Sequence, residues 1–121
     1  MRTNLNAQTI GQKAEQQACR FLESKGLQLL TKNYRCFSGE IDLIMQHDDD
    51  IVFIEVRTRG QQHFGDAIES VNSHKQKKLI KASIHYLQKK NWFDKVNCRF
   101  DVIGISQGHM EWIVNAFSIE T

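Results

Sequence analysis

A chain of 121 residues, 40% hydrophobic and 25% charged, is sized for one compact globular domain, residues 1–121, and leaves no room for two. Its net charge of +2 means that any basic surface must come from placement and not from the total. Three scattered cysteines without a Cys-x-x-Cys pair exclude a disulfide framework and argue against zinc; with no signal peptide and no membrane-length apolar run expected, the predicted location is the cytoplasm.

The first element predicted is a helix over residues 9–25. Thr9-Ile10-Gly11-Gln12 has the form of a capping box, and Gly26 is a natural terminator after Lys25. Ile10, Ala14, Ala18, Phe21 and Leu22 recur at helical spacing and supply its apolar stripe. Residues 27–35 read as a strand, and Cys36-Phe37-Ser38-Gly39 turns into a hairpin. Its two arms are the apolar runs Gly39 to Met45 and Ile51 to Arg57, with His47-Asp48-Asp49-Asp50 as a four-residue tip. A polar loop follows from Thr58 to Asp66. A second helix is predicted from Ser73 to Lys90, opened by a capping box at Ser73-His74-Lys75-Gln76, with Leu79, Ile80, Ile84 and Leu87 on its apolar face. Residues 98–105 and 110–117 close the chain as a hairpin around Gln107-Gly108. The order is αβββαββ, an α/β fold with a mixed five-stranded sheet flanked by helices.

The first hairpin carries the chemistry. With an even-numbered tip, Gln46 faces Ile51, Ile44 faces Phe53 and Asp42 faces Glu55. A directly opposed pair lies roughly 4.5–5.5 Å apart at Cβ, where like charges repel. Two anions in an apolar neighbourhood call for a cation, and Mg²⁺ or Mn²⁺ suits carboxylate oxygens together with substrate phosphates. An odd-numbered tip or a bulge would put the two acids on opposite faces. Asp42 alone reads as a solvated acid. Glu55 does not, because its strand is apolar on both sides and acids are rarely buried there unless paired or metal-bound.

Arg57 leaves the same face of the strand as Glu55. Acid, then acid-x-cation, on neighbouring strands suits phosphodiester hydrolysis: the acids hold a metal and the cation offsets charge building on the phosphate. Glu15 shares a helix face with Gly11, Ala18 and Leu22. On the residues alone it is a boundary glutamate first and an acid of the same cleft second. Arg57, Arg59, Lys75, Lys77, Lys78 and Lys81 gather in the middle of the chain. They form either a stripe that tracks a polyanion or a solvated helix face. Gln76 either orients water or phosphate, or caps its helix.

Six motifs in order then carry a family resemblance. They are Gly11-Gln12-Lys13-Ala14-Glu15, Asn33-Tyr34-Arg35, Gly39-Glu40-Ile41-Asp42-Leu43-Ile44, Phe53-Ile54-Glu55-Val56-Arg57-Thr58-Arg59, Lys75-Gln76-Lys77-Lys78-Leu79 and Arg99-Phe100-Asp101-Val102. Together they resemble the YraN family of small bacterial proteins, itself similar to archaeal Holliday junction resolvases and so to the restriction-endonuclease-like PD-(D/E)XK fold. The resemblance implies a catalytic site of Glu15, Asp42, Glu55 and Arg57 with Gln76 close by, in which Asp42, Glu55 and Glu15 serve a metal. It implies a homodimer, since resolvase relatives work as dimers. One departure matters: the nuclease pattern has lysine where this chain has Arg57. Arginine stabilises a phosphate but does not lose its proton and cannot act as a base. The combined expectation is a metal-dependent endonuclease on DNA, branched or structured. Its rivals are a non-catalytic nucleic-acid-binding module of the same fold and a scaffold protein.

Overall fold

A computed structural model describes residues 9–58 and 69–118. The described elements run α1 (Ile10–Ser24), β1 (Gln28–Cys36), β2 (Gly39–His47), β3 (Asp50–Thr58), α2 (Ser73–Lys89), β4 (Asn97–Ser106) and β5 (His109–Phe117). The five strands form one sheet in chain order, antiparallel except for the parallel pair β3 and β4. The parallel pair needs a crossover, and α2 lies within it. The sheet is mixed, with the αβββαββ order expected.

The β3 run Ile51-Val52-Phe53-Ile54 is apolar at every position because both of its faces are covered. Ile51 and Phe53 join Ile44, Phe100 and Val102 under Leu79, Ala82, Tyr86 and Leu87 of α2. Val52 and Ile54 join Leu43, Met45 and Ile103 under Ala18 and Leu22 of α1. Full burial of such side chains contributes roughly 1.5–3 kcal/mol each. An aromatic stack crosses three strands, with Phe53 on Phe100 at 5.5 Å between ring centroids and Phe100 on Phe117 at 4.8 Å.

The helix ends obey local chemistry. The Thr9 hydroxyl accepts from the Gln12 amide at 3.0 Å, and Gln12 Oε1 accepts from the Thr9 amide at 3.1 Å, the box expected from sequence. Ile10, expected in the buried stripe, is exposed; it stands on the first turn, and Ala14 is the first residue of the helix to be buried. The second helix is capped by Asn72 and not by Ser73: the Asn72 side chain accepts from the Lys75 amide at 3.0 Å. Its buried face includes Ala82, Ser83 and Tyr86, while Ile80 and Ile84 are only half-buried.

The hairpin tip is shorter than expected. His47 pairs with Asp50 around Asp48 and Asp49, and Asp48 adopts a left-handed φ of 54°. Two tip residues fewer leave the parity unchanged, so the ladder still pairs Gln46 with Ile51 and Ile44 with Phe53. At the other side of the sheet a bulge interrupts β4 and β5 at Asp101. Asp101 is fully buried and accepts from Arg99 Nε at 3.1 Å, Trp112 Nε1 at 2.9 Å and the Asn115 amide at 2.8 Å. Arg99 continues to His47 at 3.0 Å, so this acid also ties the hairpin tip to the bulge.

Candidate active site

The site forms where the β2–β3 ladder stops. The last paired residues are Leu43 and Ile54. One position further stand Asp42 and Glu55. Here the Val56 amide donates to Asp42 Oδ2 at 2.8 Å, a side-chain acceptor serving a strand amide that the recorded ladder no longer covers. Two residues on, Arg57 Nη1 meets Glu55 Oε2 at 3.1 Å, and Arg57 Nε donates to the Ser70 hydroxyl at 2.9 Å. The Glu55 and Arg57 side chains are 16% and 25% exposed, so this ion pair is largely desolvated.

These groups line an open pocket of about 290 Å³. From β2 it takes Gly39, Glu40 and Asp42; from β3, Glu55 and Arg57; from α2, Lys75, Lys78 and Leu79. Burial pushes the Asp42 carboxyl up to about 8; the Glu55 charge adds to the rise and the Val56 amide opposes it. Burial also raises Glu55, against the pull of the Arg57 guanidinium. The two carboxyls are near enough for the titration of each to depend on the other. Both carboxyls are thus held above their ordinary range, Asp42 far enough to keep its proton near neutral pH, because burial penalises their charged forms.

The structure brings together five of the residues singled out in the sequence: Asp42, Glu55, Arg57, Lys75 and Lys78. Glu15 stands apart from the pocket lining. Its Oε1 accepts from Asn33 Nδ2 at 2.8 Å, yet its charge is near enough to raise Asp42 further. Gln76 donates its side-chain amide to the Val71 carbonyl at 2.9 Å, which is neither the box expected at Ser73 nor a contact with the pocket. Lys77 and Lys81 are exposed and do not line the pocket, so the lysine stripe divides between a pocket face and a solvent face. Arg59 lies outside the described residues.

Among the described residues no group of three His, Cys, Asp or Glu side chains is placed to hold a metal ion. Asp42 and Glu55 supply two carboxylates, a number that suffices for Mg²⁺ or Mn²⁺ when substrate and water fill the remaining positions. The chemistry of this donor pair fits such an ion: three acids and three bases line the pocket, and a divalent cation would replace the proton and leave the pocket positive.

Some features escape a sequence reading. Ser70 is the hydroxyl partner of Arg57 from beyond the loop, and nothing in its neighbours signals this. Asn33 holds φ at 53°, a conformation asparagine tolerates better than most residues, and so points its amide at Glu15. Glu111 lies in the row Arg57, Gly104, Glu111 across three strands, and its Oε1 is buried with no hydrogen-bond partner among the described residues.

A family model described as "Uncharacterised protein family UPF0102" matches residues 14–105. A UPF0102 protein of Coxiella burnetii is 47% identical over 114 residues, 93% of this chain and 95% of that protein. A UPF0102 protein of Nitrosococcus oceani is 46% identical over 115 residues, 92% of this chain and 93% of that protein. One from Pseudomonas putida is 44% identical over 112 residues, covering 88% and 90%.

Proposed function

The chain belongs to the UPF0102 family, the YraN family its motifs resemble, and from that premise and the geometry of the cleft we propose a metal-dependent endonuclease that hydrolyses phosphodiester bonds in DNA, branched or structured DNA being its substrate class. One observation carries the reading: two largely buried carboxyls, both raised by burial, stand beside a guanidinium and two lysines in one open pocket. A purely structural acid pair has no need of an opening lined with cations.

Asp42 and Glu55 would hold Mg²⁺ or Mn²⁺, with Glu15 adding negative charge from behind. The ion supplies Lewis acidity toward a phosphoryl oxygen and offsets its charge. Lys75 and Lys78 receive the phosphate and hold it at the pocket mouth. Arg57 is oriented by Glu55 on one side and Ser70 on the other, so its remaining donors are aimed before the substrate arrives. It stabilises the charge that grows on the phosphate and takes no proton. Asp42, lifted to about 8 without a metal, would give up its proton when the ion binds, so ion binding strengthens as pH rises toward 8.

The test is incubation of the purified protein with labelled duplex, single-stranded and four-way DNA in Mg²⁺ or Mn²⁺. The expected result is metal-dependent cutting that Asp42→Asn and Glu55→Gln abolish. Binding without cuts, unchanged in Asp42→Asn, would overturn the enzyme reading in favour of a non-catalytic binding module. That rival is favoured by one observation, the arginine at 57 in place of the pattern's lysine. No helix among the described residues is long and apolar enough to cross a membrane.

A further inference from the structure

We propose that Phe37 is a base-stacking residue at the lip of the cleft, so that the site takes DNA with unpaired bases beside the bound phosphate. The inference rests on the reading of the cleft as a DNA site.

Phe37 and Ser38 form the two-residue tip of the hairpin between β1 and β2, closed by the pair Cys36 and Gly39. The Phe37 side chain is fully exposed. Tips of this kind favour small or polar residues, and this ring contributes nothing to either core. A lone exposed aromatic is ordinary in itself. Its position is what distinguishes this one. Gly39 lines the pocket, and Phe37 precedes it by two residues, at most about 7 Å of chain. The turn lies against α2 beside a pocket lysine. A Cβ built on Gly39 would stand 3.5 Å from Lys78 Cβ, and Gly39 has a φ of 155° that a side chain would strain. The close approach of hairpin to helix therefore holds the tip that carries the ring against the helix turn that carries Lys78.

Charge and shape complement a nucleic acid more than an apolar partner. Arg35 and Glu40 flank the tip as an exposed pair at 3.5 Å and cancel. Lys75 and Lys78 line the pocket from the helix that the tip approaches. A polyanion whose phosphate rests on these lysines presents its next base to the ring. Bases stacked inside a duplex offer only their edges, whereas an unpaired base offers a face, and face stacking on an aromatic is tolerant of sequence. The substrate class that follows is DNA with single-stranded character: flaps, gaps, junction arms or free strands.

The experiment compares two fluorescein-labelled oligonucleotides of equal length, one with natural bases and one abasic along the contacted stretch. Anisotropy is read at low salt with Ca²⁺ in place of Mg²⁺ to limit cutting. The intact protein binds the natural strand about tenfold more tightly than the abasic one. Phe37→Ala binds the two alike, at the abasic level, and Phe37→Trp keeps the preference. Lys75→Ala combined with Lys78→Ala weakens both strands by the same factor. Folding is not at stake, since the ring touches no core residue. If the intact protein binds both strands equally with steep salt dependence, the stacking role is wrong and the DNA cleft stands. If it binds neither at low salt, both ideas fall. If Phe37→Ala leaves strand preference intact and turns a sedimenting dimer into a monomer, the ring is an interface between copies and the proposal fails.

Discussion

Replacing Asp42 by asparagine should stabilise the metal-free protein at alkaline pH while destroying the site. An unfolded Asp42 ionises near its ordinary 3.8, whereas the folded one holds its proton up to about 8. Between those values the folded state binds the extra proton, so stability falls as pH rises from about 4 to about 8. Below that window the contribution is fully present. The gap in pKa corresponds to a ceiling of about 6 kcal/mol. Local relaxation and the coupling to Glu55 lower this, and about 2 kcal/mol is the expected loss for the intact protein. In a chain of this size that is a fall in melting temperature of about 8 °C. The assay is thermal unfolding followed by circular dichroism in chelator at about pH 5 and about pH 8. Asp42→Asn should show a smaller fall, and the difference between the two proteins isolates Asp42 from other titrating groups. Millimolar Mn²⁺ at the higher pH should restore the intact protein and leave Asp42→Asn unmoved, because a ligand that binds only the folded state stabilises it. Equal pH dependence in the two proteins, or an equal response to Mn²⁺, would refute the account of Asp42 as a buried acid waiting for a cation.

Arg57→Ala should leave Glu55 without its cation in a mostly buried place and cost about 2–3 kcal/mol in urea unfolding, with cutting reduced more than a hundredfold. Arg57→Lys keeps the charge and should retain cutting within about tenfold; the fork that spans Glu55 and Ser70 is lost. Lys75→Ala with Lys78→Ala should lower DNA affinity and flatten the plot of log affinity against log salt by about two, read by anisotropy titration. Asp101→Ala should cost about 3 kcal/mol by the same urea measurement, since it leaves Trp112 Nε1 and the Asn115 amide unmet and Arg99 with Asp50 as its remaining acid.

The element order was legible because periodicity, caps and turns agreed along the chain. Thr9 and Gln12 announce the first helix through a box that needs only their own side chains. The second helix misleads by one residue, because Asn72 and Ser73 are both competent caps and only the backbone decides between them. The meeting of Asp42 with Glu55 was legible from parity alone, and parity survived an error of two in the tip length. Glu15 was less legible. Its spacing places it on the right helix face, but its hydrogen bond depends on Asn33 taking a left-handed turn in a different strand. The lysines were legible as a set and illegible as two subsets, since exposure and pocket lining depend on where α2 crosses the sheet. Ser70 belongs to no local pattern and becomes visible only when β3 and the start of α2 are brought together.

Two aspartates in the same sheet are served very differently by the protein around them. Asp101 lies on β4 with no exposure at all, and it receives a guanidinium, an indole and a strand amide. Those donors cover both oxygens, so the charge is met entirely by the protein and the bulge it caps is fixed in place. Asp42 lies two strands away, receives one strand amide, and faces another carboxyl. Among the described residues no cation is paired with it. An acid placed for stability would have recruited donors as Asp101 does, because an underserved carboxyl in a dry place is costly. The sequence spends its nearest spare cation, Arg57, on Glu55 and leaves Asp42 short. The pocket is open on that side, so Asp42 can be reached from solvent by a proton and, on the function proposed above, by a divalent ion.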